Sequence, residues 1–177
     1  MSNITIKHMG MRLLKYRYNL HLFELVEKVT YIGTRWTFGL NLAKIAHHAH
    51  RVVVCEVTRG INEAALKRIR DEAYEAHKVL GVSETVFLDL PGLDLHLTPT
   101  RQKNAPYLAI VKKENPDIAF IPHHGDLHSD HASCADSCMV ALRPMNAPNL
   151  KALYAYETLS ESEWNVPDGA HAFIPNT

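Results

Sequence analysis

From about residue 26 onward, the apolar positions of this chain fall alternately into short unbroken runs and into longer stretches with helical spacing. The runs are Val29 to Gly33, Arg51 to Val57, Thr85 to Leu90, Ile118 to Ile121 and Leu150 to Tyr156; each reads as a strand, and Arg51 to Val57 and Ile118 to Ile121 as buried ones. Between the first two, Thr37 to His48 places Phe38, Leu42, Ile45 and Ala46 on one helical face. Asn62 is suited to cap a helix that runs to Leu80, with Leu66, Ile69, Ala73, Ala76 and Leu80 facing inward and Gly81 ending it. A helix over Gln102 to Glu114 stops at Asn115-Pro116, because the residue before a proline avoids the helical region. Another spans Ser129 to Leu142. Strands separated by helices of this length predict an α/β fold with a parallel sheet covered on both faces.

The ends depart from this pattern. Lys7, His8, Arg12, Lys15 and Arg17 make the first two dozen residues basic, Glu24 is their first acidic residue, and Leu13, Leu14, Leu20, Leu22 and Phe23 suit an amphipathic helix. Residues 1–25 therefore read as an atypical basic extension, and 26–177 as one domain. Val166 to Thr177 carries little pattern and no final helix to cover the last strand, as expected of a domain lacking its C-terminal part.

The bulk figures remove several function classes. A formal net charge of zero argues against a nucleic-acid binder, which would carry a basic stripe. No apolar run approaches a membrane span and no secretory leader is visible, so the expected location is cytoplasmic. Cys55, Cys134 and Cys138 are an odd number without zinc-finger spacing and indicate no disulfide framework. Cys134 and Cys138, one helical turn apart, read as small packable helix residues. The turn from Gly33 to Gly39 is not G-x-G-x-x-G and no Walker A sequence occurs, which disfavours a nucleotide-binding enzyme.

Candidate chemistry is concentrated in Pro122-His123-His124-Gly125-Asp126-Leu127-His128-Ser129-Asp130-His131. Four imidazoles and two carboxylates fall within nine residues there, directly after the Ile118 to Ile121 strand. That placement puts them at a strand's carboxyl end, where open α/β folds bind ligands. Imidazole is the commonest zinc ligand and the side chain best matched to proton transfer near neutral pH. His128 and His131 stand three apart at a predicted helix start, so both project from one face. The plainer alternative is a solvated loop whose aspartates cap the helix.

With the strand before it, Asp126-Leu127-His128-Ser129-Asp130-His131 resembles the second signature of the LmbE-like (PIG-L) metal-dependent de-N-acetylases. Residues 39–54 resemble that family's first helix and second strand, and Val57-Thr58-Arg59-Gly60 its substrate loop. Arg70 and Glu72 resemble its Arg/Glu helix, and Tyr156-Glu157 and Ser162-Glu163-Trp164 are similar to one branch. The resemblance implies a Rossmann-like three-layer sandwich with a mostly parallel sheet. It also implies zinc-dependent hydrolysis of an acetamide on an N-acetylglucosamine-type substrate. In it His131 is a metal ligand, and His128 is the acid that protonates the leaving amine. Asp130 is the carboxylate that orients His128. Arg70 is a substrate contact, although its position departs from the family pattern. The implied partner is a small N-acetylated sugar or conjugate, not nucleic acid or membrane, and a homo-oligomer is compatible with it.

One element of the pattern is not present. The family's first signature, His-Pro-Asp-Asp-Glu, contributes two further ligands and a carboxylate base. At that place this chain reads Tyr31-Ile32-Gly33-Thr34-Arg35-Trp36-Thr37-Phe38-Gly39-Leu40, without histidine or carboxylate. His47, His48 and His50 lie about a helix length away and read as solvated residues at a helix end. Two expectations follow: a truncated or frameshifted copy, or a non-catalytic pseudoenzyme that keeps the fold and binds a ligand or partner.

Overall fold

The computed structural model describes residues 6–9, 28–33, 43, 45–48, 51–59, 62–156, 158 and 162–164. Six strands form one sheet: β1 (Ile6–Met9), β2 (Lys28–Gly33), β3 (Arg51–Thr58), β4 (Glu84–Leu90), β5 (Ile118–Pro122) and β6 (Ala152–Tyr156). Their spatial order is β1-β6-β5-β2-β3-β4, and every neighbouring pair is parallel. Three helices are bounded in full: α1 (Glu63–Val79), α2 (Thr100–Glu114) and α3 (Ser129–Ala141). Residues 43 and 45–47 are also helical, within the stretch predicted from Thr37. No helix of the described residues is long and apolar enough to cross a membrane.

The strand runs are apolar on both faces because both faces are covered. Ala119 and Ile121 of β5 join Cys55, Val57, Leu153 and Ala155 beneath α2 and α3, which contribute Tyr107, Ile110, Val111, Cys134 and Cys138. Ile118 and Phe120 point the other way, with Val52, Val54, Tyr154 and the buried Ile45. Phe120 and Tyr154 stack there at 5.2 Å between ring centroids. The alternation along Ile118–Pro122 is the two-residue period of a strand, and the outcome is an α/β sandwich of three layers.

The helix ends follow their capping residues. Asn62 caps α1 by accepting from the Ala65 N–H at 3.1 Å. Gly81, at φ +75°, ends α1, its N–H donating to the Lys78 carbonyl while the Val82 N–H donates to that of His77. Those two bonds need a left-handed residue at this point, and only glycine takes that conformation without strain. Asn115, at φ 43°, closes α2 in the same conformation ahead of Pro116.

Two features differ from expectation. Ile69, expected to face inward, is 45% exposed, and the buried positions of α1 are Ala73 and His77. The helix lies over the edge of the sheet, where Tyr74 packs edge-on against Phe87 of β4 and His77 bonds Thr85. A histidine, not an isoleucine, thus occupies the inward stripe. Ile6–Met9, within the stretch read as an extension, add an edge strand beside β6. The helix expected over Leu13 to Phe23 lies outside the described residues.

Candidate active site

The sheet order changes direction between β2 and β5. From β2 the chain moves outward through β3 and β4, and from β5 outward the other way to β6. Such a switch opens a crevice at the carboxyl ends of the two central strands. The His-rich segment leaves β5 into that crevice and becomes the first turn of α3.

The alternative in which aspartates cap α3 is not what forms. His128 is itself the N-cap, its Nδ1 accepting from the Asp130 N–H at 3.2 Å. In its neutral form, His128 therefore carries its proton on Nε2. His131, 4% exposed, faces the opposite constraint: its Nδ1 lies 3.0 Å from an oxygen of the buried Asp126 carboxylate. A carboxylate accepts, so Nδ1–H donates, and in the neutral form of His131 the lone pair is on Nε2. The two rings stack at 4.7 Å with 20° between their planes. In their neutral forms the two rings are opposite tautomers, one with an Nε2–H donor and the other with an Nε2 acceptor.

Asp130 sits elsewhere than beside the His128 ring. Its carboxylate accepts from the Leu93 N–H at 2.6 Å and the Leu95 N–H at 3.2 Å. It pins the loop after β4, where Leu93 is left-handed at φ 64°. Arg70 is not brought to the cluster. Its guanidinium bonds Asp89 and lies 4.9 Å from the centroid of the Phe87 ring on β4. That strand is three places from β5, about 14 Å across a sheet of ordinary strand spacing. His124 is exposed, 3.6 Å from Asp136, and His123 is buried with Nδ1 accepting from the Gly125 N–H. His47 and His48 are exposed just ahead of β3, at the amino edge of the sheet.

Sequence reasoning missed the roles of Asp126 and Ser162. The Ser162 hydroxyl, in the turn after β6, donates to the second Asp126 oxygen. The spacing of Asp126 to His131, one helical turn and a residue, hints at the first contact; nothing local in sequence points to Ser162.

Zinc fits this donor set poorly. Among the described residues no group of three His, Cys, Asp or Glu side chains could hold a metal ion. Residues 34–40 lie outside the described residues, and their side chains, Thr-Arg-Trp-Thr-Phe-Gly-Leu, include none of those donors. A catalytic zinc needs three protein ligands, and His131, buried with the Asp126 carboxylate at its Nδ1, is a single candidate.

The family model for PIG-L, GlcNAc-PI de-N-acetylase, matches residues 34–142, more than half of the chain. Among solved structures, N,N'-diacetylchitobiose deacetylase from Pyrococcus horikoshii superposes with a TM-score of 0.62 at 20% identity. The match covers 74% of this chain and 55% of that one, so the chain spans little more than half the length of that enzyme. A deacetylase of teicoplanin biosynthesis gives 0.65 at 15% identity, over 83% of this chain and 72% of its own. GalB, the 4-carboxy-2-hydroxymuconate hydratase from Pseudomonas putida, gives 0.55 at 17% identity, over 71% and 62%. Deacetylases and a hydratase share the architecture, so fold alone does not specify the reaction.

Proposed function

The chain belongs to the PIG-L family, and on that premise we propose that its carboxyl-edge site receives an N-acetylglucosamine-type amide and presents to it the acid half of a deacetylase centre. The observation that carries this reading is the stacked pair of His128 and His131, whose Nδ1 atoms face a backbone N–H and a carboxylate respectively. His128 offers an Nε2–H to the amide nitrogen or carbonyl oxygen, and His131, backed by Asp126, offers an Nε2 lone pair. Asp130 contributes by fixing the loop over the crevice, and the cap bond orients His128. The site of action we propose is the cytoplasm, in keeping with three unpaired buried cysteines.

The family reaction is zinc-dependent. Bound zinc supplies a nucleophilic water and polarises the acetamide carbonyl. This chain offers that chemistry His131 but neither the further donors nor a carboxylate base at 34–40. The reading is therefore ligand binding with hydrolysis near background. A second reading, zinc-dependent hydrolysis, is favoured by the Asp126–His131 pair, since metal-bound histidines characteristically donate their other N–H to a carboxylate.

The test is titration of the full chain with N-acetylglucosamine, with and without zinc, following binding and release of free amine. Saturable binding that His128→Ala weakens at least tenfold, with amine release at background, is the expected result. Zinc-dependent amine release from protein holding about one zinc would establish the second reading instead. No binding would reject the site.

A further inference from the structure

The turn after β6 takes no part in the reading above, yet it reaches the buried side of the site. Ser162 is 1% exposed. Its N–H donates to the Thr158 carbonyl at 3.0 Å, and its Oγ accepts from the Thr158 N–H at 2.9 Å. That reciprocal clasp decides where the hydroxyl proton goes. With a backbone N–H already donating to Oγ, the O–H donates to Asp126 Oδ1. Asp126 Oδ2 then faces the His131 Nδ1 at 3.0 Å, and the Asp126 side chain is fully buried.

We propose that Ser162 is a positioning residue for the site, its hydroxyl holding the Asp126 carboxylate so that His131 keeps its proton on Nδ1 and its lone pair on Nε2. This deepens the functional reading and rests on it only for the claim that Nε2 faces the ligand. The physical argument concerns saturation. A buried carboxylate oxygen without a donor carries its desolvation cost uncompensated. Without the Ser162 hydroxyl, Asp126 is free to turn toward other donors. The Nδ1–H tautomer of His131 then loses the acceptor that selects it. With the hydroxyl, both carboxylate oxygens are used and the ring is held in one state. Thr158 and Ser162 thus belong functionally to the site, although the residues that meet the ligand come from β5 and α3.

The experiment reads the tautomer directly, without substrate or metal. In the full chain labelled with ¹⁵N, long-range proton–nitrogen correlations distinguish the protonated from the bare nitrogen of each imidazole. His131 is expected to show a protonated Nδ1. Ser162→Ala should lower its Nδ1–H to Nε2–H ratio roughly fivefold, the loss expected for one hydrogen bond of ordinary net strength. Ser162→Thr, which keeps the hydroxyl, should restore the native pattern. An unchanged His131 spectrum in a folded Ser162→Ala protein would overturn the proposal. Should that variant fail to fold, Ser162→Cys substitutes a weak donor of similar size, and an unchanged spectrum there overturns it equally. A native tautomer pattern that responds to Ser162, in a protein that binds no acetylated sugar, would sink the functional reading and leave this one intact.

Discussion

His128 has two jobs that ordinary mutagenesis would confuse. It caps α3 through Nδ1, and in the proposed function its Nε2 meets the ligand. Asparagine is among the best capping residues but is no acid, so it separates the two. Urea denaturation of His128→Asn is expected to match the native protein within about 0.5 kcal/mol, whereas His128→Ala should lose about 1 kcal/mol. Both should lose sugar affinity alike; Asn retaining native affinity would reduce His128 to a cap. Asp130 has a structural partner that the motif does not announce. Its place in the motif suggests a partner for His128, but its oxygens are taken by two N–H groups of a loop some 35 residues earlier in the chain. Such a partner has no mark in the local sequence, because the Leu93 and Leu95 amides are ordinary backbone. Removing the carboxylate leaves the buried Leu95 N–H and the part-buried Leu93 N–H without their acceptor, beside a left-handed Leu93. Asp130→Ala should therefore cost about 2–4 kcal/mol in urea denaturation and make the 91–97 amides exchange faster with solvent, even if His128 still binds.

At the scale of elements, the strands and helices were legible because burial on both faces leaves unbroken apolar runs, and because Asn62, Gly81 and Asn115 mark helix ends by their own chemistry. The edge strand β1 was not, since a short strand in a basic stretch lacks the apolar run that betrays a central one. The inward stripe of α1 was misassigned at Ile69 because periodicity does not show where the sheet stops. Beneath that helix, His77 lies 3.6 Å from Glu56 of β3. The distance suits an ion pair, but burial pushes Glu56 up to about 7 and His77 down. Both shifts favour the neutral forms, so the contact acts as a neutral polar one. The consequence for stability has a definite sign. Between pH 4.5 and about 7 the folded Glu56 holds a proton that the unfolded chain has released, so stability falls as pH rises through that window and levels off above it. The full effect is up to roughly 3 kcal/mol. Below about 6.5 the unfolded chain protonates His77 before the fold does, which erodes stability on the acid side. Glu56→Gln should remove the first limb and keep the second: about 1–3 kcal/mol more stable at pH 8, and little changed at pH 4, in urea midpoints across pH. A parallel pH profile in the two proteins would show that Glu56 is charged in the fold.

For the whole molecule, the site is a matter of topology. A parallel sheet whose order switches between β2 and β5 brings the exits of those two strands together, so a centre built there draws one half from each. On the function proposed above, the β5 half comprises the cap histidine His128, the carboxylate-backed His131, and the buried Asp126 held by Ser162. The β2 exit supplies a threonine, an arginine and a tryptophan where the family places ligands and base, with Arg35 adding a positive charge that opposes a cation. If this division is right, the two halves should be separable by substitution. The combined variant Thr34→His, Arg35→Pro, Trp36→Asp, Thr37→Asp, Phe38→Glu is expected to raise bound zinc from well below one ion per chain to near one. It should also produce amine release from N-acetylglucosamine, and adding His131→Ala should abolish both. A folded variant that still binds no zinc would mean that the β5 half has diverged as well. The tautomer pair would then serve ligand binding alone.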